Sequence, residues 1–206
     1  TRRENLGTHN HGLTTQMSVE KTIWPGSTQL APVPVVLVGT GDGHRLPWNI
    51  MTVAWAGTVA SDPPMVAIGV RESRFTYHQI ETLKCFTVNI PSADQAETVD
   101  YCGVISGRDT DKFSKRGLTP AMASKITAPI VEECPLALEC EVRHRLDLGS
   151  HIAYIGEVVA VQVTSSLVDE GGHMDIEKAN LLAYAHGHYF SLGKELGRFG
   201  FSVRKR

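Results

Sequence analysis

Residues 49–89 read N-I-M-T-V-A-W-A-G-T-V-A-S-D-P-P-M-V-A-I-G-V-R-E-S-R-F-T-Y-H-Q-I-E-T-L-K-C-F-T-V-N, and their punctuation decides the fold class. Two apolar runs meet at Ser61-Asp62-Pro63-Pro64, where proline stops sheet pairing and sets a turn. The second run, Met65 to Val70, delivers the chain to Arg71-Glu72-Ser73-Arg74-Phe75-Thr76, which has the make-up of a helix's first turn. A helix N-terminus leaves backbone N–H groups without intrahelical partners and carries partial positive charge. With Arg74 and the hydroxyls of Ser73 and Thr76 added, that corner can seat a phosphate dianion. Ser73 as an ordinary N-cap is the simpler reading of the same residues. Cys85 to Ile90 returns to strand, so the stretch runs strand, turn, strand, helix, strand.

Upstream, Pro34-Val-Val-Leu-Val-Gly39 is short and β-branched, the pattern of a buried strand. Gly41-Asp42-Gly43 supplies positive-φ positions for a turn, and Asn49 to Ala56 follows as the second strand of a hairpin. Gly39, Gly41 and Gly43 do not make a dinucleotide-binding loop, because no helical pattern follows and no third glycine has the required offset. Downstream, the spacing predicts a helix over Ser73 to Lys84 with Phe75, Ile80 and Leu83 on its apolar face. Ser92-Ala93-Asp94-Gln95 matches a capping box opening a helix to about Cys102. Ser106 to Phe113 reads as a polar loop entering a short helix. Leu136 to Leu146 and Ile152 to Val163 are long strands around a turn at Asp147-Leu-Gly-Ser-His151, and Tyr184 to Phe190 is a last ordered run. Many strands and about three helices argue for a mainly β chain, a closed or half-closed β-barrel with helical insertions rather than a parallel βαβ sheet.

At 206 residues, 42% apolar and 20% charged, the chain has ordinary globular composition. A formal charge of −2 gives no reason to expect nucleic acid, and Arg204-Lys205-Arg206 reads as a solvated basic tail. No apolar run approaches the roughly 20 residues of a membrane helix, so no membrane partner is expected. Cys85, Cys102, Cys134 and Cys140 form no C-x-x-C pair, which points to free thiols and a reducing cytoplasm. Residues 1–16 are polar and precede Met17, a possible natural start. They read as a disordered extension or a remnant of cloning, leaving 17–206 as one domain.

In register along the chain, several segments resemble the flavin reductase-like FMN-binding split-barrel family, and within it the flavoredoxin branch. The carriers are P-V-V-L-V (34–38), N-I-M-T-V-A-W (49–55), S-D-P-P-M-V (61–66), S-R-F-T-Y (73–77) and F-T-V-N-I-P (86–91). C-G-x-x-S-G-R-D-x-D-K-F (102–113), L-G-S-H (148–151), G-E-V-V (156–159) and Y-F-S-L-G (189–193) complete the set. This resemblance implies a six-stranded split barrel, a homodimer, and FMN near the subunit interface. Asn49, Met51, Thr52 and Trp55 would line the flavin, together with Val53 and Ala54 of the same strand and the strand-end Asn89. Ser73, Arg74 and Thr76, joined by Lys112, would hold the phosphate. His151 would sit beside the flavin as the catalytic residue, where a nicotinamide stacks, and Tyr189 or Phe190 would pack on the ring system. Charge-assisted hydrogen bonds contribute about 1.5–3 kcal/mol each, so three or four supply roughly 5–10 kcal/mol, against about 8 for micromolar binding. Ring contacts then decide how firmly the flavin is held.

Plainer readings stand beside these. Trp55 on an apolar strand is a core residue by default. Lys112, close behind Asp109 and Asp111, is an exposed ion-pair partner, Asn89 a strand end with its amide on a backbone group, and His151 a turn residue. Among nine histidines, His186-Gly-His188 on one strand face, with His144, His151 or His173, suits a metal, although no Asp, Glu or Cys has the usual companion spacing. The resemblance implies an oxidoreductase that takes a hydride from NADH or NADPH, with electrons leaving to free flavin, a metal centre or a redox protein partner. The rival functions are an FMN electron carrier reduced by a partner protein and a flavin-free metal-binding module.

Overall fold

The computed structural model describes residues 19–203. The expected extension over 1–16, the start at Met17 and the basic run 204–206 lie outside the described residues. In chain order the strands open with β1 (Val33–Pro34), β2 (Val36–Thr40), β3 (Asn49–Val53), β4 (Ala56–Ser61) and β5 (Pro64–Val70). Helix α1 (Phe75–Leu83), β6 (Cys85–Ile90), α2 (Ala96–Val104), α3 (Lys112–Arg116), β7 (Pro120–Met122) and β8 (Pro129–Val131) follow. The chain continues through β9 (Leu136–Asp147), β10 (Ile152–Val163), α4 (Ile176–Ala179), β11 (Leu182–Ala185) and β12 (His188–Ser191).

A seven-stranded antiparallel sheet in the order β3-β2-β6-β9-β10-β5-β4 forms the body. Its two edge strands, β3 and β4, are consecutive in sequence and separated only by Ala54 and Trp55. At 3.8 Å per residue step the chain spans at most about 11 Å from Val53 to Ala56, so the sheet must curl until its edges nearly meet. Curling makes it a half-barrel, mainly β as the sequence implies, with seven strands in the sheet where the resemblance implied six. Ala54-Trp55 is the seam.

Burial explains why β2 reads as a continuous apolar run. Val36 and Val38 enter the barrel interior with Met51, Ile68, Phe86 and Tyr154. Leu37 points the other way, into an outer layer with Ile50, Val99, Phe113 and Leu182. A strand buried on both faces has no polar positions to alternate with. Gly39 lies in this strand because a Cβ there would strike the Pro129 carbonyl and the Thr87 hydroxyl, a packing role rather than a nucleotide loop.

Two expectations change. The buried face of α1 is Thr76, Gln79 and Ile80, not Phe75, Ile80 and Leu83, because polar hydrogen bonds dock that helix. The Tyr184 to Phe190 run breaks into β11 and β12 at His186 (φ 48°) and Gly187 (φ 87°), a positive-φ turn. His186 is therefore in the turn, and the histidine pair does not share a strand face. Among the described residues no three His, Cys, Asp or Glu side chains gather as a metal set, no helix is long and apolar enough to cross a membrane, and all four cysteines are buried and unpaired.

Candidate functional site

The N-terminus of α1 opens on a cleft of about 360 Å³ lined by Arg71, Arg74, Arg108 and Lys112. Among the described residues no carboxylate lines it. Arg74, not Ser73, holds the N-cap position, extended at φ −77° and ψ 144°, and no side chain caps the helix. The first N–H groups of α1 are thus left for water or a ligand. Ser73 is exposed, and its carbonyl accepts a hydrogen bond from Arg108 Nη1 at 3.1 Å, tying the 106–108 loop to this corner.

Beneath the cations lies a buried polar floor. Asn49 Nδ2 donates to Thr76 Oγ1 at 2.9 Å. Thr40 Oγ1 donates to Gln79 Oε1 at 2.6 Å, and Gln79 Nε2 to the Pro47 carbonyl at 2.7 Å. These bonds explain why α1 turns polar residues inward: each is satisfied, so burial carries no desolvation penalty large enough to expel it. Gly107 passes so close that a Cβ there would meet Asn49 Oδ1 and come within 3.1 Å of the Phe75 ring.

Lys112 is the surprise among the expected residues. Rather than pairing with Asp109 and Asp111 in solvent, it is 4% exposed. Its Nζ donates to the carbonyls of Ile50 (2.7 Å) and Cys102 (2.9 Å). An ammonium has three donors, so one remains for the cleft. Burial pulls Lys112 down to about 8, with nearby Cys102 opposing and the Arg74 charge adding to the shift. Burial also pushes the Cys102 thiol up to about 11, so it stays neutral beside the lysine. Asp111 instead caps α3, accepting from the Phe113 and Ser114 amides.

The seam carries the other half of the site. Met51, Thr52, Val53, Ala54 and Trp55 line a cleft of about 200 Å³ with Gly69, Arg71, Arg74, His151 and Tyr184. Thr52 Oγ1 is spent on the Val99 carbonyl, anchoring this edge under α2. Trp55 is 45% exposed, so it is not the core residue its strand context suggests, because β3 ends at Val53 and the seam turns its side chain outward. The Trp55 carbonyl accepts from Gly69 N at 2.8 Å, which closes the seam onto β5.

His151 follows a tight turn between β9 and β10, made possible by Gly149 at φ +78°. Ser150 Oγ and His151 Nδ1 lie 2.9 Å apart and share a hydrogen. Burial, then the Arg71 charge, holds the imidazole below its ordinary value, so it is neutral at pH 7. The seam cleft shares Met51, Arg71 and Arg74 with the cationic corner. One groove therefore runs from the start of α1, along β3, to the 148–151 turn.

Eleven predicted residues come together here: Asn49, Met51, Thr52, Val53, Ala54, Trp55, Ser73, Arg74, Thr76, Lys112 and His151. Asn89 and Tyr189 do not line the groove. Along β6, Phe86 and Val88 enter the barrel, so Asn89 falls on the opposite face. There its amide donates to the Leu37 carbonyl and Thr87 Oγ1 and accepts from the Val131 amide, so the backbone-bonding reading holds. Tyr189 donates to Asp100 Oδ1 at 3.0 Å and packs edge-on against Tyr184, and it is Tyr184 that reaches the groove. Sequence reasoning missed Arg71, Arg108 and Tyr184 as site residues. Arg108 had a signal in S-G-R-D, whereas Tyr184 depends on hairpin register.

The model of the Flavin reductase like domain family matches residues 28–193. Flavoredoxin of Desulfovibrio vulgaris (Miyazaki F) is 35% identical and superposes with a TM-score of 0.83, the match covering 89% of this chain and 99% of that one. An FMN-binding protein from Thermus thermophilus is 25% identical with a TM-score of 0.72, over 88% of this chain and 98% of that one. By sequence, a flavin reductase of Pseudomonas putida is 30% identical over 115 residues, 56% of this chain and 64% of the relative.

Proposed function

This chain belongs to the flavin reductase-like family, on its flavoredoxin branch, and from that premise we propose that it is an FMN-binding oxidoreductase reduced by NADH or NADPH. The observation that carries the reading is the continuous groove: a cationic corner at one end, an amphipathic wall at the other, and Met51, Arg71 and Arg74 common to both. FMN has that outline, a phosphate dianion joined to a flat ring system. Arg71, Arg74 and Arg108 supply charge to the phosphate, with the free donor of Lys112 and the uncapped start of α1 beneath it. Trp55 and Tyr184 supply flat surface to the rings. Bound FMN supplies two-electron redox chemistry, so the chain itself needs to bind, orient and exclude water rather than provide a nucleophile.

His151 positions the incoming nicotinamide. A neutral imidazole fixed by Ser150 can donate or accept one hydrogen bond without repelling a cationic oxidised ring. Anaerobic titration of the FMN-loaded protein with NADH and with NADPH, followed by visible absorbance, tests the activity, and bleaching by either supports it. His151→Ala is expected to lower turnover with nicotinamide about tenfold or more while retaining FMN, and unchanged kinetics would remove His151 from the mechanism.

A second reading, an FMN carrier reduced by a partner protein, draws on the flavoredoxin likeness. A yellow protein that neither nucleotide bleaches decides for it. The homodimer belongs to the same proposal: Ile23 (95% exposed), Leu196 (91%) and Phe199 (104%) leave apolar side chains bare on both terminal arms, and a second copy would cover them. Four unpaired cysteines suit a reducing cytoplasm.

A further inference from the structure

Beyond Trp55 the groove does not stop. It opens into a cleft of about 380 Å³ between β4, β5 and the 148–151 turn, sharing Trp55, Gly69 and His151 with the ring wall. Val59, Ala67, Leu148 and Ala153 supply the rest of its surface that matters here. Among the described residues no Lys, Arg, Asp or Glu lines it, whereas the far end of the groove carries four cations. Small-molecule sites span roughly 300–1,000 Å³, so this one is of a size for one or two fused rings rather than a dinucleotide.

We propose that this cleft is the electron-acceptor subsite of the groove and that it takes an uncharged planar ring of the quinone class. The inference rests on the flavin reading above. Charge decides the class. An anionic acceptor placed between Val59 and Leu148 would lose hydration with no cation in the cleft's own lining to replace it, Arg71 lying beyond His151 in the ring wall, while an uncharged ring loses only apolar exposure. Trp55 offers a half-exposed indole to stack on, and the neutral His151 offers one hydrogen bond to a ring carbonyl. A quinone bound there would take a hydride (two electrons and one proton) from the reduced flavin and a second proton from solvent, leaving as the hydroquinone while the flavin returns to its oxidised form, to be reduced again by hydride from nicotinamide.

The test uses the FMN-loaded chain and two probes of one shape, menadione and the anionic 1,4-naphthoquinone-2-sulfonate. Binding is read by quenching of tryptophan fluorescence that disappears in Trp55→Phe, and FMN retention by flavin fluorescence in the same samples. Menadione is expected to bind about tenfold more tightly than the sulfonate. Val59 is 54% exposed on an edge strand, so Val59→Lys tolerates the charge and is expected to narrow that ratio about fivefold or more by attracting the sulfonate. Equal binding of the two probes, or a ratio unmoved by Val59→Lys, overturns the subsite while FMN retention leaves the flavin reading intact. Failure of both probes to quench Trp55, the result if a second copy covers the cleft, overturns it as well. A chain that takes no FMN overturns the flavin reading and the subsite together.

Discussion

The two ends of the groove are built differently. At the phosphate corner the exposed arginines stand over a floor of polar side chains that are buried and bonded: Asn49 to Thr76, Gln79 to Thr40 and Pro47, Lys112 to two carbonyls. At the seam the walls are half-exposed, and Trp55 and His151 are held by one hairpin and one neighbouring hydroxyl. A corner with satisfied buried bonds is set before the ligand arrives, so little ordering is left for binding to supply. An open seam can admit and release rings. Affinity should therefore reside at one end and exchange at the other.

Lys112 gives the hardest test of that division. Lys112→Met removes a buried charge and strands the Ile50 and Cys102 carbonyls, each worth about 1–3 kcal/mol when left unsatisfied. FMN affinity is expected to fall about a hundredfold, and stability by about 2–4 kcal/mol as read from urea unfolding. A variant that binds FMN as before would show that the corner's rigidity does not serve the ligand.

The same lysine sets a pH dependence with opposite signs for fold and ligand. Below pH 8 it is charged in folded and unfolded chains alike. Between about 8 and 10.4 only the unfolded chain holds the proton, so this group's contribution to stability rises with pH there. On the proposed reading FMN favours the charged lysine, so its affinity is expected to be flat from about pH 7 to 8 and to fall by up to about tenfold per unit above that. Phosphate titrates near 6 and Cys102 near 11, so neither confuses that window. Titrations from pH 7 to 9.5 check this, and the slope is expected to vanish in Lys112→Met.

The two ends also differed in how far the sequence exposed them. The corner was legible because its parts are local: Asp62-Pro63 turns a hairpin, and Ser73, Arg74 and Thr76 follow its second strand within four residues of one another. Long-range parts were not. Asp109 and Asp111 just precede Lys112 and argue for a solvated ion pair, yet α3 folds it under Ile50, a contact 62 residues away in sequence. Trp55 sits in an apolar run that reads as uninterrupted strand, and only sheet curling reveals the break. Asn89 was misplaced because its outward side depends on which residues of β6 enter the barrel, a parity fixed by Phe86 and Val88. Tyr184 needed the turn at His186-Gly187, which no Asn-Gly or Asp-Gly announces.

One added methyl at each end measures the contrast directly. At Gly107 a Cβ meets buried Asn49, whose amide is committed to Thr76, and the neighbouring Phe75 ring at 3.1 Å. Nothing there is a loose side-chain end, so Gly107→Ala must shift the 106–108 loop or break the Asn49 bond. Either outcome is expected to weaken FMN binding about fivefold, with overpacking of about 1–3 kcal/mol seen in thermal unfolding.

Gly69 is the matching position at the seam. Its added Cβ would lie 3.2 Å from Trp55 Cβ and 3.8 Å from His151 Cδ2, tight against the first and ordinary against the second. Trp55 is 45% exposed and lies in the two-residue seam, whose backbone has to carry its Cβ only a few tenths of an ångström, so little strain is stored. Gly69→Ala is therefore expected to change FMN affinity by no more than about twofold and stability by less than about 1 kcal/mol. What it moves is the indole against which incoming rings rest, and stopped-flow reduction by nicotinamide should register that shift before equilibrium binding does. Should Gly69→Ala instead match Gly107→Ala in both measures, the seam is as rigidly specified as the corner, and the assignment of exchange to that end fails.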